Sequence, residues 1–186
     1  MAWTAPKTWT AGAVLTAAEL NEQLRDNLLE TMPAKAMTPG AFFAVEDENY
    51  IVERRTQSAR VNAVETTAST TYSDLATVGP SVTVTTGTRA FVFISAQLSN
   101  DTASAQSVMS WTVSGATNRD PVADATLLDL TAIVADGVPA SSPWGMGQVD
   151  LLTVLTPGEN TFTAKYRAGG SGTARFQNRF IAVFPF

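Results

Sequence analysis

The sequence contains no cysteine and no histidine among its 186 residues. Without cysteine there is no disulfide and no thiol nucleophile. Without either residue, Cys/His zinc sites, Ser-His-Asp and Cys-His catalytic systems and the usual proton shuttle near neutral pH are excluded. An enzyme made of this chain would have to work with carboxylates, Lys, Tyr or Ser, so the expectation is a protein that is not an enzyme and takes no cofactor. Charge is also scarce: 16% of the residues are charged against 45% hydrophobic, where about 25% charged is usual. A surface so poor in charge suits a protein packed against copies of itself. The balance is acidic, net −5, which argues against nucleic-acid binding, since no basic face displaces counterions, and against docking on an anionic membrane. No apolar run approaches the ~20 residues that span a bilayer. The opening MAWTAPKTW lacks the basic and apolar regions of a signal peptide, so the expectation is synthesis in the cytoplasm without export by a cleaved signal.

What is present begins with an arm and a helix. Residues 1–13 read as extended: Pro6 biases Ala5 away from helix, and Gly12 permits a turn. Thr16 and Glu19 then form a capping box, with Val14 or Leu15 placed to staple onto the first turns. Leu20, Leu24 and Leu28 follow at i, i+4 and i+8 and make one apolar stripe, with Glu19, Glu22, Arg25, Asp26 and Glu30 on the other faces and Pro33 ending the helix. About 15 residues is marginal for a lone helix in water, so the stripe requires a partner. Trp3 and Trp9 are worth several kcal/mol if buried, at ~25 cal/mol/Å². An arm of a dozen residues has no core of its own to hold them. The economical inference is that the arm lies on a neighbouring subunit or another protein with the tryptophans as anchors; the alternative is fold-back within the chain.

Residues 33–60 read as a linker with short strands around Phe42–Val45 and Tyr50–Glu53. From residue 61 to 186 the texture is Thr, Val, Ser and Ala in short runs between turn signals. Strands are expected at 61–67, 71–77, 81–86, 89–99, 107–114, 125–135, 147–155, 160–167 and 174–184. TPGEN and AGGSGT read as hairpin turns. The fold class is therefore mainly β: an N-terminal arm and single helix (1–32), the linker, and an antiparallel β-sandwich of jelly-roll or immunoglobulin-like type. The segments 91–96, 127–134 and 180–186 are apolar on both faces, where a sandwich strand should have one wet face. Either they are covered on both sides or their outer face packs against another subunit. The closing FIAVFPF, ending on a bare phenylalanine, suits an interface.

Candidate chemistry is thin. Glu46, Asp47 and Glu48 offer the paired carboxylates of a glycosidase, but read more simply as a solvated acidic turn. Asp120, Asp124, Asp129 and Asp136 are oxygen donors of the kind calcium takes, without the spacing of an EF-hand loop. The glycines of AGGSGT lack the Lys-Ser/Thr and the helix of a phosphate loop. Trp111 reads as core. Trp144, in SSPWGMG, reads as a loop aromatic that either packs over the end of the sandwich or stacks on a sugar ring.

The stretch TAPKTWTAGAVLTAAELNEQLRDNLLET resembles the opening of small virion proteins of tailed bacteriophages, especially those infecting actinobacteria, in the pattern carried here by Trp9, Gly12, Leu15, Thr16, Ala17, Leu20, Asn21, Leu24, Arg25, Asp26, Asn27 and Leu28. The resemblance covers roughly residues 4–31. It implies a virion structural protein of the minor tail or tail-fibre kind, localised to the particle and assembled in the host cytoplasm. On that reading Trp3, Trp9, Leu15, Leu20, Leu24, Arg25, Asp26 and Leu28 dock on a partner, with Arg25 and Asp26 pairing with a neighbour or Asn27 bonding backbone near the helix end. The expected partners are other copies, as a homotrimer, and further virion proteins of the tail or, in the rival placement, the capsid as a decoration protein. A host surface glycan at Trp144 would make the sandwich a carbohydrate-binding module.

Overall fold

Thr16 starts the helix that its capping box predicts. Its hydroxyl accepts the Glu19 N–H at 3.2 Å, and the Glu19 carboxylate accepts the Thr16 N–H at 2.9 Å. The computed structural model describes residues 4–31, 35–121, 133–136, 138–139 and 142–186. Two units emerge, residues 1–55 and 56–185. In the first, the helix runs as α1 (Ala17–Leu20), a π-helical segment (Asn21–Asp26) and α2 (Asn27–Leu29). The regular α-helix expected from the leucine spacing is thus widened at its centre by a π turn, a feature associated with functional sites. Strands β1 (Phe42–Asp47) and β2 (Tyr50–Arg54) form an antiparallel hairpin. Its turn falls at Glu48 and Asn49, and Asn49 has φ +56°, a left-handed conformation that Asn tolerates better than most residues.

The second unit is the sandwich. Its strands are β3 (Gln57–Val61), β4 (Glu65–Thr67), β5 (Ser81–Thr86), β6 (Ala90–Asn100), β7 (Gln106–Gly115), β8 (Ile133–Asp136), β9 (Trp144–Leu152), β10 (Gly158–Gly169) and β11 (Ala174–Pro185). One sheet is ordered β3-β11-β6-β9, with β4 also on β11; the other is β5-β10-β7-β8; the pairings are antiparallel. Leaving out β4, the strands read first-eighth-third-sixth and second-seventh-fourth-fifth. The chain crosses between sheets at almost every connection, which is jelly-roll topology and decides against an immunoglobulin-like order. For the same reason neither TPGEN nor AGGSGT is a hairpin. β9 and β11 lie in one sheet and β10 in the other, so both turns carry the chain across the sandwich. The strand expected at 71–77 is irregular chain held by a single bridge between Ser73 and Tyr166. Of the strand expected at 125–135, residues 125–132 lie outside the described residues.

Alternation places the core between the sheets. Val82 and Val84 of β5, Val92, Ile94 and Leu98 of β6, Met109, Trp111 and Val113 of β7, and Phe162 and Tyr166 of β10 are all buried there. Trp111 is core, as its sequence context suggests. The Tyr166 ring packs on Phe176 at 4.8 Å and its hydroxyl donates to the Gly79 carbonyl at 2.8 Å. In β11 the alternation changes phase. A bulge between Gln177 and Phe180, with Asn178 at φ +52°, lets Phe176 and Ile181 both face the core while Phe180 and Phe184 face out.

Candidate functional site

The arm and helix of the first unit form the site that the sequence singled out. Ala11 and Gly12 make a turn, Gly12 at φ +81°, so residues 4–10 run back along the helix. Three polar side chains one turn apart receive them. Asn27 accepts the Thr4 N–H at 2.9 Å and donates to the Thr4 carbonyl at 3.2 Å. Gln23 accepts the Lys7 N–H at 2.8 Å, and the Lys7 ammonium pairs with Glu19. That pair and the Thr16 N–H and hydroxyl hold the Glu19 carboxyl down at about 2. Lys7 also sits 5.2 Å from the Trp9 ring centroid.

The arm is therefore held through Thr4 and Lys7 by its own chain, and the fold-back weighed from the sequence is realised for residues 4–10. Its apolar groups are another matter. Arm and helix leave an open groove of about 450 Å³, lined by Pro6, Trp9, Leu15, Leu20 and Leu24 together with the Lys7 and Gln23 stems. Trp9 is 43% exposed, Leu24 58% and Leu28 64%, and Leu15, Leu20 and Leu29 are exposed as well. Trp3 lies outside the described residues. Of the remaining expected docking residues, the structure gathers Trp9, Leu15, Leu20 and Leu24 into one groove, with Leu28 one turn beyond. Arg25 and Asp26 stand apart, ion-paired with each other at 2.7 Å on the surface. Sequence reasoning missed Gln23 and Asn27 as the arm's receivers. The signal was available, because Glu19, Gln23 and Asn27 repeat at the leucine stripe's own spacing, one residue behind it.

The other candidates disperse. Glu46 is ion-paired with Arg54, and Asp47 accepts the Glu48 N–H at 2.8 Å beside the hairpin turn. Among the described residues no group of three or more Asp or Glu is placed to hold a metal ion. Asp124 and Asp129 lie outside them. Trp144 is the first residue of β9, paired in register with Leu98, and was expected in a loop. It is 61% exposed. A polar cleft of about 500 Å³ on the other sheet is lined by Thr112, Ser114, Arg119, Asp120, Thr163 and Lys165, without Trp144. Among the described residues no helix is long and apolar enough to cross a membrane.

No protein-family profile matches the chain, and no curated protein matches it. Solved structures similar to it include murine APRIL at pH 5.0, which is 10% identical with a TM-score of 0.34 and aligns over 68% of this chain and 100% of that one. Another is TmCBM61 in complex with β-1,4-galactotriose, 8% identical, TM-score 0.31, over 70% and 88%. Similarity at this level carries no argument about ligand or assembly.

Proposed function

We propose that this chain is a structural protein of a tailed-phage virion, non-enzymatic, anchored to the particle through residues 1–32 and displaying its jelly roll for host adsorption. The observation that carries the reading is the mismatch within the first unit. Thr4 and Lys7 of the arm are held on the helix in cis by Asn27, Gln23 and Glu19, while Trp9, Leu15, Leu20, Leu24 and Leu28 remain open to solvent. A soluble module that gained nothing from this row would be expected to cover it. The same stretch bears the resemblance to virion proteins, so chemistry and pattern point to one segment. The tail is the proposed place, following that resemblance. On the displayed unit, the Trp144 indole offers an apolar face with a polar edge to a host sugar.

The test is incorporation. A tagged chain expressed in an infected host should co-purify with particles, and gold labelling should mark the tail. Leu24→Asp should reduce incorporation at least tenfold while leaving the circular dichroism of the free protein unchanged. Absence of the wild-type chain from purified particles would end the virion reading. Label spread over the head would move the protein to the capsid.

A further inference from the structure

The outer face of the β3-β11-β6-β9 sheet is an apolar surface of the second unit that the core does not use. The register places its residues in rows across three strands. Leu151 of β9, Phe91 of β6 and Phe184 of β11 form one row; Val149, Phe93 and Ala182 form the next; Gly147, Ser95 and Phe180 form the third. Phe91, Phe93, Phe184, Val149 and Leu151 are each about two-fifths exposed. Phe93 and Phe184 meet edge to face at 5.5 Å. No residue of the three rows on β9, β6 and β11 is charged; the third row continues on β3 as Arg60, stacked over Phe180 at the margin. The face is not flat. Small residues at Ser95 and Gly147, between Phe93, Val149 and Phe180, leave a dimple of about 370 Å³.

From this geometry we infer that the face is a self-association surface, packed in the assembled protein against the same face of a second copy of this chain. Three observations choose that occupant. First, knob and hole lie on one face: the Phe91/Phe184 row stands four residues, about 13 Å, from the Ser95/Gly147 dimple. A two-fold rotation between the rows seats each copy's phenylalanines over the other's dimple, the reciprocity an isologous contact requires. Second, a two-fold contact sets every residue of the face against its own kind of surface, so any net charge would repel itself. The three rows carry none, on a chain of net −5. Third, β9, β6 and β11 over about nine residues and β3 over five, about 4.8 Å apart, present on the order of 500 Å² per copy, with Arg60 and the Gln97–Gln177 pair at the rim. The pair then comes to about the 1,000 Å² expected of a specific interface. The inference rests on the reading of the chain as an assembled structural protein and names which surface assembles it. The proposed two-fold contact is an alternative to the homotrimer expected from the sequence.

The test uses the full chain. Light scattering between 1 and 100 µM should give twice the 19.7 kDa chain mass. Phe91→Glu, which sets a charge in the knob, and Ser95→Trp, which fills the dimple, should each weaken the dimer about 100-fold with unchanged far-ultraviolet circular dichroism. Leu24→Glu, in the arm-helix groove, should leave the dimer intact. Val149→Lys serves as a second charge probe should either face variant unfold. A wild-type monomer throughout the range, a trimer, or a dimer lost with Leu24→Glu and kept with the face variants would overturn the inference. Particle incorporation is read separately, so loss of the dimer leaves the anchoring proposal standing, and failure to incorporate leaves the dimer standing.

Discussion

Arg179 is the residue whose placement demands most of its surroundings. It is fully buried, turned inward by the β11 bulge, with Glu65 of β4 at 2.9 Å and the Tyr166 ring at 5.2 Å. Glu65 in turn accepts the Thr77 N–H at 3.0 Å and its hydroxyl at 2.6 Å. Burial pushes the Glu65 carboxyl up, but the Thr77 hydrogen bonds and the Arg179 charge outweigh it, and the group titrates below the ordinary carboxylate range. Its contribution to stability is accordingly present above the unfolded value and is lost as pH falls toward the folded one. A buried cation stripped of its counter-ion is costly, whereas replacing both partners by apolar groups is often close to neutral. Glu65→Gln should therefore destabilise the sandwich by about 3 kcal/mol in urea unfolding, and adding Arg179→Met should recover most of that loss. Additive losses in the double variant would show that the pair is not the source of the cost.

At the scale of elements, the arm-helix unit is a clip held by Asn27, Gln23 and Glu19, of which Glu19 alone titrates. Glu19 caps the helix through Thr16 and holds the arm through Lys7. Its pKa falls from an ordinary 4.5 to about 2. Depression means that the closed clip is favoured at neutral pH and loses that support as Glu19 protonates, between about 4.5 and 2. Carboxyl-detected NMR should place the Glu19 midpoint near 2, and Lys7→Met should raise it; a midpoint near 4.5 in the wild type would mean the clip is open in solution. The capping box and the strands at 81–86, 89–99, 107–114 and 174–184 were legible because each depends on local chemistry: a Thr-x-x-Glu spacing, or period-2 alternation between turn residues. Sheet assignment was not. TPGEN reverses the chain equally well into a hairpin or across a sandwich, and the choice is made by the core that the next strand joins. Nor was the phase of β11. RFQNRFIAVF shows no signature that separates Phe176 from Phe180, yet one extra residue at Asn178 sends the first into the core and the second onto the outer face. The helix site was half legible. The leucine row announced an apolar groove, while in the polar row one residue behind it Glu19 signals only a cap and Asn27 only a backbone bond, and nothing local marks the row as the receiver of the arm.

For the molecule as a whole, low charge and two open apolar surfaces pull in one direction. A chain of net −5 repels its own copies at long range, and that repulsion is screened beyond about 10 Å at 0.1 M salt. The three rows on β9, β6 and β11 contribute no charge to the contact, and apolar burial is strengthened by excluded salts such as sulfate. The two effects of salt therefore have the same sign. The dimer dissociation constant, followed by light scattering or sedimentation, should fall modestly between 0.05 and 0.5 M sodium chloride and fall further in ammonium sulfate. Phe91→Glu should introduce the opposite problem, like charges facing across the two-fold, so that whatever association survives depends steeply on salt. Weakening of the wild-type dimer by sodium chloride would mean that ion pairs hold the copies together. The contact would then have to be sought at the charged margins, among residues such as Arg60 or the Arg25–Asp26 pair, and not on the phenylalanine rows.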